Sequence, residues 1–190
     1  MRDMNYFSAL DIIKRVIDET VCEGDICIDA TAGRGNDTLH LCRLVGDSGH
    51  VTSFDIQADA VESTKALLAE NGVAHRADVL LKSHSEMDEI LEEETVSLIT
   101  FNFGWLPKGD HNIFTRKETS IEAIEKGLKL LKKGGIMTLI IYYGRETGFE
   151  ERDALLEYLP TLDSRKYTVL EMPFVNRPNC PPIPIIIFKN

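Results

Sequence analysis

The sequence contains no apolar run that approaches the roughly 20 residues needed to cross a membrane. Its N-terminus also lacks the long apolar core of a signal peptide. The four cysteines form no CxxC pair and no spacing typical of a metal site. These absences predict a cytoplasmic protein without membrane association, with reduced structural cysteines and without a bound metal.

Several catalytic signatures are missing as well. The chain has no Ser-His-Asp order and no phosphate-binding loop with its lysine. None of the histidines stands at a ligand-like spacing from another. The sequence therefore gives no support to a serine hydrolase, a P-loop nucleotidase or a metalloenzyme.

Negative charge is plentiful but unevenly distributed. Residues 1–100 hold 8 basic and 20 acidic side chains, a net charge of −12, whereas residues 101–190 hold 13 and 11, a net charge of +2. The overall charge of −10 disfavours a protein that coats nucleic acid without specificity. A polyanion would meet the C-terminal half first, unless the basic residues there are simply scattered and solvated. They include Lys108, Arg116, Lys117, Lys132, Lys133, Arg145 and Arg177.

The most informative segment that is present is Ile26–Thr38, which reads ICIDATAGRGNDT. A short apolar strand ends at Asp29, and a loop with Gly33 and Gly35 leads into residues that favour a helix start. Such a junction directs backbone N–H groups and the positive end of a helix at a nucleotide-like ligand. The next predicted strand ends in Asp55, about 20 residues further on, where a carboxylate can hold both hydroxyls of a ribose. Together these features predict an adenosine-type cofactor.

Strands and helices alternate along most of the chain, which predicts a single α/β domain over residues 1–190 with a doubly wound, mostly parallel sheet. The last two strands are separated only by a Pro-rich loop, which predicts a C-terminal antiparallel hairpin. The apolar strand 183–188 leaves a homodimer open. We predict strands at 26–29, 51–55, 79–81, 96–101, 136–142, 168–174 and 183–188. We predict helices at 8–21, 37–44, 58–69, 85–91 (capped by Ser85), 119–131 and 150–159.

The end of the fourth predicted strand is the second strong signal. Phe101–Pro107 reads FNFGWLP, so a polar amide, aromatic rings and a glycine follow a buried strand. Asn102 can accept a hydrogen bond from an amine while aromatic neighbours stack on a planar base. The alternative is that the two phenylalanines lie in the core and that Trp105 covers the end of the sheet.

Further candidates lie in the loops that follow other strands, because ligands bind beyond the carboxyl ends of strands in this topology. His84 follows the third predicted strand and can contact a cofactor, with general base chemistry a weaker alternative. Asp110 and His111 follow the fourth strand, and Tyr142 and Tyr143 end the fifth. For each of these, an ordinary surface or strand-end position remains the alternative.

Five motifs in this order carry a resemblance that covers the chain from about residue 5 to its C-terminus. They are DATAGRGNDT, FDIQ, SHSEM, FNFGWLPKGD and YYGRETGFEE. The chain resembles class I S-adenosylmethionine (SAM)-dependent methyltransferases. It is most similar to their YtqB-like family, also called MnmM and long labelled an rRNA methylase family.

The resemblance implies a seven-stranded Rossmann-like methyltransferase sheet and SAM as the cofactor. It also implies a reaction, which is methylation of the aminomethyl nitrogen of 5-aminomethyl-(2-thio)uridine at the tRNA wobble position. The product is the 5-methylaminomethyl form. The expected partner is therefore the anticodon loop of a tRNA.

The strand ends and the resemblance together define the expected site. The expected cofactor-binding residues are Asp29, Ala30, Thr31, Gly33, Asn36, Asp37, Thr38, Asp55, Ile56, Gln57, Ser83, His84 and Asn102. The expected catalytic residues are Asn102, Asp110 and His84. The expected substrate-binding residues are Phe103, Gly104, Trp105, Tyr142 and Arg145.

The chain departs from the family pattern at two positions. The family commonly has Gly-His near the fifth strand, where this chain has Gly144-Arg145, so a role that needs the histidine is lost and Arg145 is a candidate phosphate contact. The aromatic residue after Gly104 is usually Tyr, whereas here it is Trp105. The tryptophan retains stacking but has no hydroxyl.

Three other functions remain open at this point. The substrate of a methyltransferase could be rRNA or a small amine. A nicotinamide-dependent oxidoreductase would share the carboxylate at Asp55, but the third glycine of its fingerprint would fall at Thr38. A binding module that has lost catalysis is disfavoured by the intact Asn102 loop.

Overall fold

A computed structural model describes residues 7–104, 117–144 and 146–190 of the chain. Four residues that the sequence analysis named as site candidates lie outside these ranges: Trp105, Asp110, His111 and Arg145.

The described residues form a seven-stranded sheet flanked by helices. The strands are β1 Ile26–Asp29, β2 His50–Asp55, β3 Ala77–Leu81, β4 Val96–Phe103, β5 Leu131–Ile141, β6 Tyr167–Glu171 and β7 Ile183–Lys189. The helices are α1 Ala9–Thr20, α2 Asn36–Val45, α3 Ala58–Glu70, α4 Lys117–Leu130 and α5 Glu146–Tyr158. Short 3₁₀ turns span Ala74–Arg76, His84–Glu89 and Leu159–Thr161.

The strand order is β3-β2-β1-β4-β5-β7-β6. The first five strands are parallel, and β7 pairs antiparallel with both β5 and β6. The predicted doubly wound sheet with its C-terminal antiparallel hairpin is therefore confirmed. The order reverses between β1 and β4, which is where ligands bind in sheets of this kind.

Two apolar clusters cover the two faces of the sheet. Helices α1, α2 and α3 supply one of them, which we call the α1–α3 face, and α4 and α5 supply the other, the α4–α5 face. Alternate residues of each strand point to opposite faces. In β4, Leu98 contributes to the α1–α3 face, whereas Ile99 and Phe101 contribute to the α4–α5 face.

The start of α1 shows how local sequence sets an element boundary. Ser8 Oγ accepts a hydrogen bond from the Asp11 backbone N–H at 3.2 Å, and Asp11 Oδ2 accepts one from the Ser8 backbone N–H at 2.7 Å. This reciprocal capping box satisfies two otherwise unpaired donors of the first turn. Ile13 and Ile17 then place one side of the helix in the core.

One prediction about local structure was wrong. The turn after β3 begins at His84 and is capped by Ser83, not by Ser85, because the Ser83 hydroxyl accepts from the backbone N–H of Ser85. Strand β7 lies between β5 and β6 and is mostly buried, so it has no free edge for pairing with a second chain. The homodimer that this strand suggested stays a prediction without support from its position.

No helix in the described ranges has the length and apolar character that a membrane span requires. Within the same ranges, no group of three or more His, Cys, Asp or Glu side chains could hold a metal ion. The cysteines are free thiols, with Cys27 and Cys42 buried and Cys22 and Cys180 exposed.

Gly49 is expected to be required for the close connection between α2 and β2. An added Cβ there would lie 2.5 Å from the Asp25 carbonyl oxygen and 2.6 Å from Cβ of Val45. We expect Gly49→Ala to lower the free energy of unfolding by about 2–3 kcal/mol in urea titrations, because backbone must move. Gly72→Ala is the control, since nothing lies within 4 Å of its Cβ and only its φ of 73° is unfavourable. Its loss should be about 1 kcal/mol, and equal losses for the two variants would contradict the steric argument.

Candidate active site

The candidate site lies at the carboxyl ends of β1, β2 and β4. Asp29, the last residue of β1, is in register with Ser53 of β2 and with Thr100 of β4. The pairing continues beyond the end of β1, since the Ala30 N–H donates to the Thr100 carbonyl at 2.9 Å and the Ala32 N–H donates to the Phe54 carbonyl at 2.9 Å. The glycine loop is thus attached to both neighbouring strands.

Gly35 allows this loop to turn tightly into α2. Its φ is 81°, and an added Cβ would lie 2.9 Å from Cα of Thr64 in α3. A side chain at this position would therefore be unfavourable in conformation and would also collide with backbone. Because α2 begins at the next residue, its unpaired N–H groups and its positive end lie at the carboxyl edge of the sheet.

Asp55 ties the glycine loop to the end of β2. Its Oδ2 accepts a hydrogen bond from the Gly33 N–H at 2.9 Å, and its Oδ1 accepts one from the Gln57 N–H at 2.9 Å. Each carboxylate oxygen keeps a further lone pair, so the group can still accept from ribose hydroxyls. The adjacent Ile56 side chain is 56% exposed and offers an apolar surface beside the carboxylate. This combination suits the adenosine part of the expected cofactor.

Asp29 is fully buried behind the loop. Its Oδ2 accepts from the Thr38 hydroxyl at 2.6 Å and its Oδ1 accepts from the Thr31 N–H at 3.2 Å. Thr38 in turn accepts from the Ser53 hydroxyl at 3.0 Å. Burial, together with the nearby charges of Asp37 and Asp55, raises the pKa of Asp29 well above its ordinary value. Asp29 and Thr38, both predicted to bind the cofactor, therefore hold the loop in place from the inside.

Asn102 connects the end of β4 to both the glycine loop and α2. Its backbone N–H donates to Thr31 Oγ1 at 2.8 Å, and its side-chain Nδ2 donates to Asp37 Oδ2 at 2.8 Å. These contacts orient the amide, and its Oδ1 is buried with no hydrogen-bond partner in the described part of the chain. A buried acceptor without a donor costs free energy, so this oxygen is suited to receive a donor from a ligand.

His84 presents a second unpaired acceptor. Its Nδ1 lies 3.2 Å from the Ala30 carbonyl oxygen and must donate to it, which leaves Nε2 as a lone pair. Nε2 is buried and has no partner among the residues that the structure describes. Burial lowers the pKa of His84 to about 4, so the ring is neutral at pH 7. The ring packs edge-on against Phe101 and Phe103, with centroids 5.8 and 6.2 Å away.

The side chains of Asn102 and His84 lie on opposite faces of β4. Phe101 and Phe103 point to the α4–α5 face, where they contact the His84 ring, and Asn102 between them points to the α1–α3 face, where it contacts Asp37. The alternation of side chains along a strand thus directs their contacts to different faces of the sheet.

The predicted substrate-binding residues occupy different environments. Phe103 is fully buried and stacks on Phe101 with centroids 4.9 Å apart, so it belongs to the core and does not form a ligand-facing surface. Gly104 has a φ of 139° and approaches Tyr142 so closely that an added Cβ would lie 3.0 Å from Cβ of Tyr142. Tyr142 is half-buried, and burial together with Asp37 raises its pKa to about 12. Tyr142 therefore stays protonated near the acidic side of the site.

The remaining predicted cofactor residues have mixed roles. Asn36 is exposed at the first turn of α2, and Gln57 precedes α3 in an extended conformation. Ser83 uses its hydroxyl to cap the following turn. Sequence reasoning missed Ser53 and Thr64, because a serine inside an apolar strand and a threonine inside a helix carry no signal of their own. Only their contacts with Thr38 and with the Gly33 carbonyl assign them to the site.

The arrangement as a whole concentrates carboxylates around Asn102. Asp29, Asp37 and Asp55 come from three different elements and meet at the carboxyl edge of β1 and β2. SAM carries a sulfonium and an ammonium group, so the negative charge of these carboxylates matches it. The tight turn at Gly35 and the exposed Ile56 suit its adenosine part. This fold and this site define a class I SAM-dependent methyltransferase.

Comparison with known proteins identifies the family. The family model described as "Putative rRNA methylase" matches residues 51–188. A curated Arabidopsis thaliana protein, "tRNA (mnm(5)s(2)U34)-methyltransferase, chloroplastic", is 34% identical over 191 residues, which cover 95% of this chain and 69% of that protein. The chain therefore belongs to this rRNA methylase family, and the resemblance found in its motifs is confirmed.

Solved structures agree with this assignment. A structure described as a "putative rRNA-methylase" from Clostridium thermocellum is 43% identical, with a TM-score of 0.94 over 96% of this chain and 98% of that chain. A methyltransferase from Streptococcus mutans, solved in complex with S-adenosylhomocysteine (SAH), is 30% identical, with a TM-score of 0.87 over 96% and 98% of the two chains. The cofactor of the present protein is SAM, as the sequence predicted.

Asp55 is expected to be essential for cofactor affinity. Asp55→Ala removes the acceptor for two backbone N–H groups and for the ribose, so we expect the Kd for SAH in calorimetry to rise by about tenfold or more. Asp59→Ala is the matched control, since Asp59 is an exposed carboxylate four residues further along. A Kd for Asp55→Ala that equals that of the control would contradict the assigned role.

The buried His84 ring is expected to make stability depend on pH. Because its pKa is lowered to about 4 in the folded protein, the unfolded chain takes up the proton first, and stability falls as pH falls from 6.5 towards 4. We therefore expect the unfolding free energy of His84→Asn to fall by about 3 kcal/mol less than that of the unmodified protein between pH 6.5 and pH 4. Urea titrations at these two pH values measure the difference. The raised pKa of Asp29 acts with the opposite sign, but it is present in both proteins and cancels in the difference. Identical pH profiles would show that His84 is not buried as a neutral ring.

Proposed function

We propose that this protein methylates the aminomethyl nitrogen of 5-aminomethyl-(2-thio)uridine at the wobble position of tRNA. The observation that carries the proposal is the buried Oδ1 of Asn102, an oriented acceptor at the carboxyl end of β4 with no donor among the described residues. A primary amine brings N–H donors that such an oxygen can accept. The name of the Arabidopsis relative supports the same substrate class.

Asn102 orients the amine. Its backbone and side-chain N–H groups are held by Thr31 and Asp37, so Oδ1 is fixed before the substrate arrives. A hydrogen bond from the amine to Oδ1 leaves the nitrogen lone pair free to point away from the amide. The cofactor supplies an already activated methyl group, so alignment of this lone pair is the main requirement.

The protein also favours the reactive form of the amine. An ammonium ion has no lone pair and cannot attack, and removal from water disfavours that charged form. Asp37 would oppose this effect if its charge were free. However, it lies in the first turn of α2 and accepts from Asn102 Nδ2, so the helix end and the amide both offset its charge.

His84 serves as a hydrogen-bond acceptor in this proposal. With a pKa of about 4, its Nε2 does not hold a proton at neutral pH, so the proton released by the amine passes to solvent. The free Nε2 lone pair instead accepts from a donor of the cofactor or the substrate. Asp110, another expected catalytic residue, lies outside the described residues, as do the proposed substrate contacts Trp105 and Arg145.

A tRNA anticodon loop is the proposed partner, with Tyr142 at the strand end beside it. A cytoplasmic location is proposed together with this substrate, whereas the Arabidopsis relative is described as chloroplastic. Methylation of rRNA or of a small amine is the alternative that the experiment below must separate.

Loss of the Asn102 acceptor is expected to slow methyl transfer strongly. We expect Asn102→Ala to lower kcat/KM by about 100-fold with labelled SAM and tRNA that lacks only the last methyl group, because the amine loses its fixed acceptor. Asn71→Ala is the matched control, since Asn71 follows α3, is exposed and contacts Arg43. The control should retain the rate of the unmodified enzyme.

Two outcomes would contradict the proposal. Near-normal turnover by Asn102→Ala would remove the assigned role of that residue. Transfer to ribosomal subunits or to a metabolite extract, with none to tRNA, would overturn the substrate. Mass spectrometry of wobble nucleosides from cells with and without the protein provides the corresponding measurement in vivo.

A further inference from the structure

The connection between β6 and β7, residues 172–182, lies at the same edge of the sheet as the candidate active site. Strand β7 runs antiparallel to β5, and its first residue, Ile183, pairs with Ile141, the last residue of β5. The segment that precedes Ile183 is therefore adjacent to the carboxyl end of β5. Neither the fold nor the cofactor site accounts for its exposed side chains, Val175 among them.

This segment also lies on the same face as Asn102. Phe174 and Tyr142 both pack against the apolar cluster of the α1–α3 face, and Asn102 points to that face as well. The three side chains therefore share one face of the sheet, at the ends of β4 and β5 and in the β6–β7 connection. Neighbouring nucleotides of a strand bound at Asn102 would extend over this face.

Phe174 and Arg177 form a stacked pair in this segment. The guanidinium carbon of Arg177 lies 3.8 Å from the centre of the Phe174 ring. Arg177 makes no ion pair with a carboxylate among the described residues. Residues 172–182 contain no acidic side chain, so this positive charge is not offset within the segment. Val175, between the two, is 95% exposed.

The segment is built to hold one conformation. It contains prolines at positions 173, 178, 181 and 182, which restrict the backbone. Asn179 and Cys180 have backbone φ values of 65° and 51°, which residues other than glycine rarely adopt. Residues with strained backbone conformations persist where contacts with the surrounding structure enforce those conformations, often at ligand sites. A preordered surface binds without the entropy cost of ordering a loop.

We propose that Phe174, Val175 and Arg177, here called the Arg177 surface, bind unpaired nucleotides of the anticodon loop that flank the wobble base. Single-stranded RNA is recognised by stacking of bases on aromatic rings and on arginine planes, and by contact of cations with phosphates. The Arg177 surface offers both. This inference rests on the proposed function, since it names how that substrate is held outside the reacting nucleotide.

A second copy of the chain fits the Arg177 surface less well. A stable dimer buries roughly 1,000 Å² or more in total, with an apolar centre. Val175 is the only large apolar side chain of this surface that is fully exposed, since Phe174 is half-buried. An arginine with no ion-pair partner among the described residues, in a segment without acidic side chains, favours a polyanion instead.

The test measures binding of an anticodon stem-loop RNA to the full chain by fluorescence anisotropy at several salt concentrations. We expect Arg177→Ala to raise the Kd about tenfold and to lower the salt slope by about 0.7, the value for one phosphate contact on a single strand. Arg177→Lys keeps the charge but lacks the guanidinium plane. It should therefore bind the RNA much more weakly than the unmodified protein, whereas the salt slope of its Kd should be unchanged. The Kd for SAH serves as the measure of folding.

Arg165→Ala is the matched control. Arg165 is an exposed arginine just before β6, and this end of β6 pairs with the C-terminal end of β7, at the opposite edge of the sheet. The control should bind RNA like the unmodified protein. Equal effects of the two alanine variants, or no effect of either, would overturn the inference.

Two further outcomes separate this inference from the proposed function. If the unmodified protein methylates the tRNA but Arg177→Ala leaves its KM unchanged, the Arg177 surface is not a substrate contact and the proposed function stands. If the protein binds the stem-loop in an Arg177-dependent manner but transfers no methyl group to it, the proposed reaction is overturned and the binding surface stands. A dimer in sedimentation that Val175→Asp converts to a monomer would assign the surface to a second copy and overturn the inference.

Discussion

The parallel pairing of β1 with β4 is the contact on which the site depends. The strand order reverses at this pair, and its hydrogen bonds continue past the strand ends, from Ala30 to Thr100 and from Asn102 to Thr31. The glycine loop and the amide of Asn102 therefore have a fixed relation to each other. Because the loop is the candidate cofactor contact and the amide is the proposed amine contact, the same backbone contacts would bring both halves of the proposed reaction together.

Electrostatics gives this geometry its chemical preference. The carboxylates of Asp29, Asp37 and Asp55 gather around the loop, and the two buried atoms without partners in the described ranges, Asn102 Oδ1 and His84 Nε2, are both acceptors. A site that is rich in negative charge and in acceptors suits a ligand with positive charge and N–H donors. SAM has both properties and a neutral amine substrate brings N–H donors, whereas the negative pyrophosphate of a nicotinamide cofactor would be repelled by these carboxylates.

Local sequence was sufficient for the features that depend on neighbouring residues. The glycine loop, the carboxylate of Asp55 and the end of β1 follow from short motifs, and the structure shows each in the predicted place. Predictions failed where distant residues decide. The cap of the turn after β3 is Ser83 and not the predicted Ser85. Phe103 lies in the core and not at the predicted substrate site, because β4 extends through it. Neither outcome can be read from local residue preferences.

The sequence by itself determined the fold class, the cofactor and the family, because alternating elements and five ordered motifs can be recognised without knowledge of packing. Tertiary structure alone decided that Asn102 and His84 lie on opposite faces of β4, that β7 is inside the sheet, and that the Arg177 surface adjoins the active-site edge. The physical reason is that strand register and side-chain alternation are set by contacts between residues far apart in the chain.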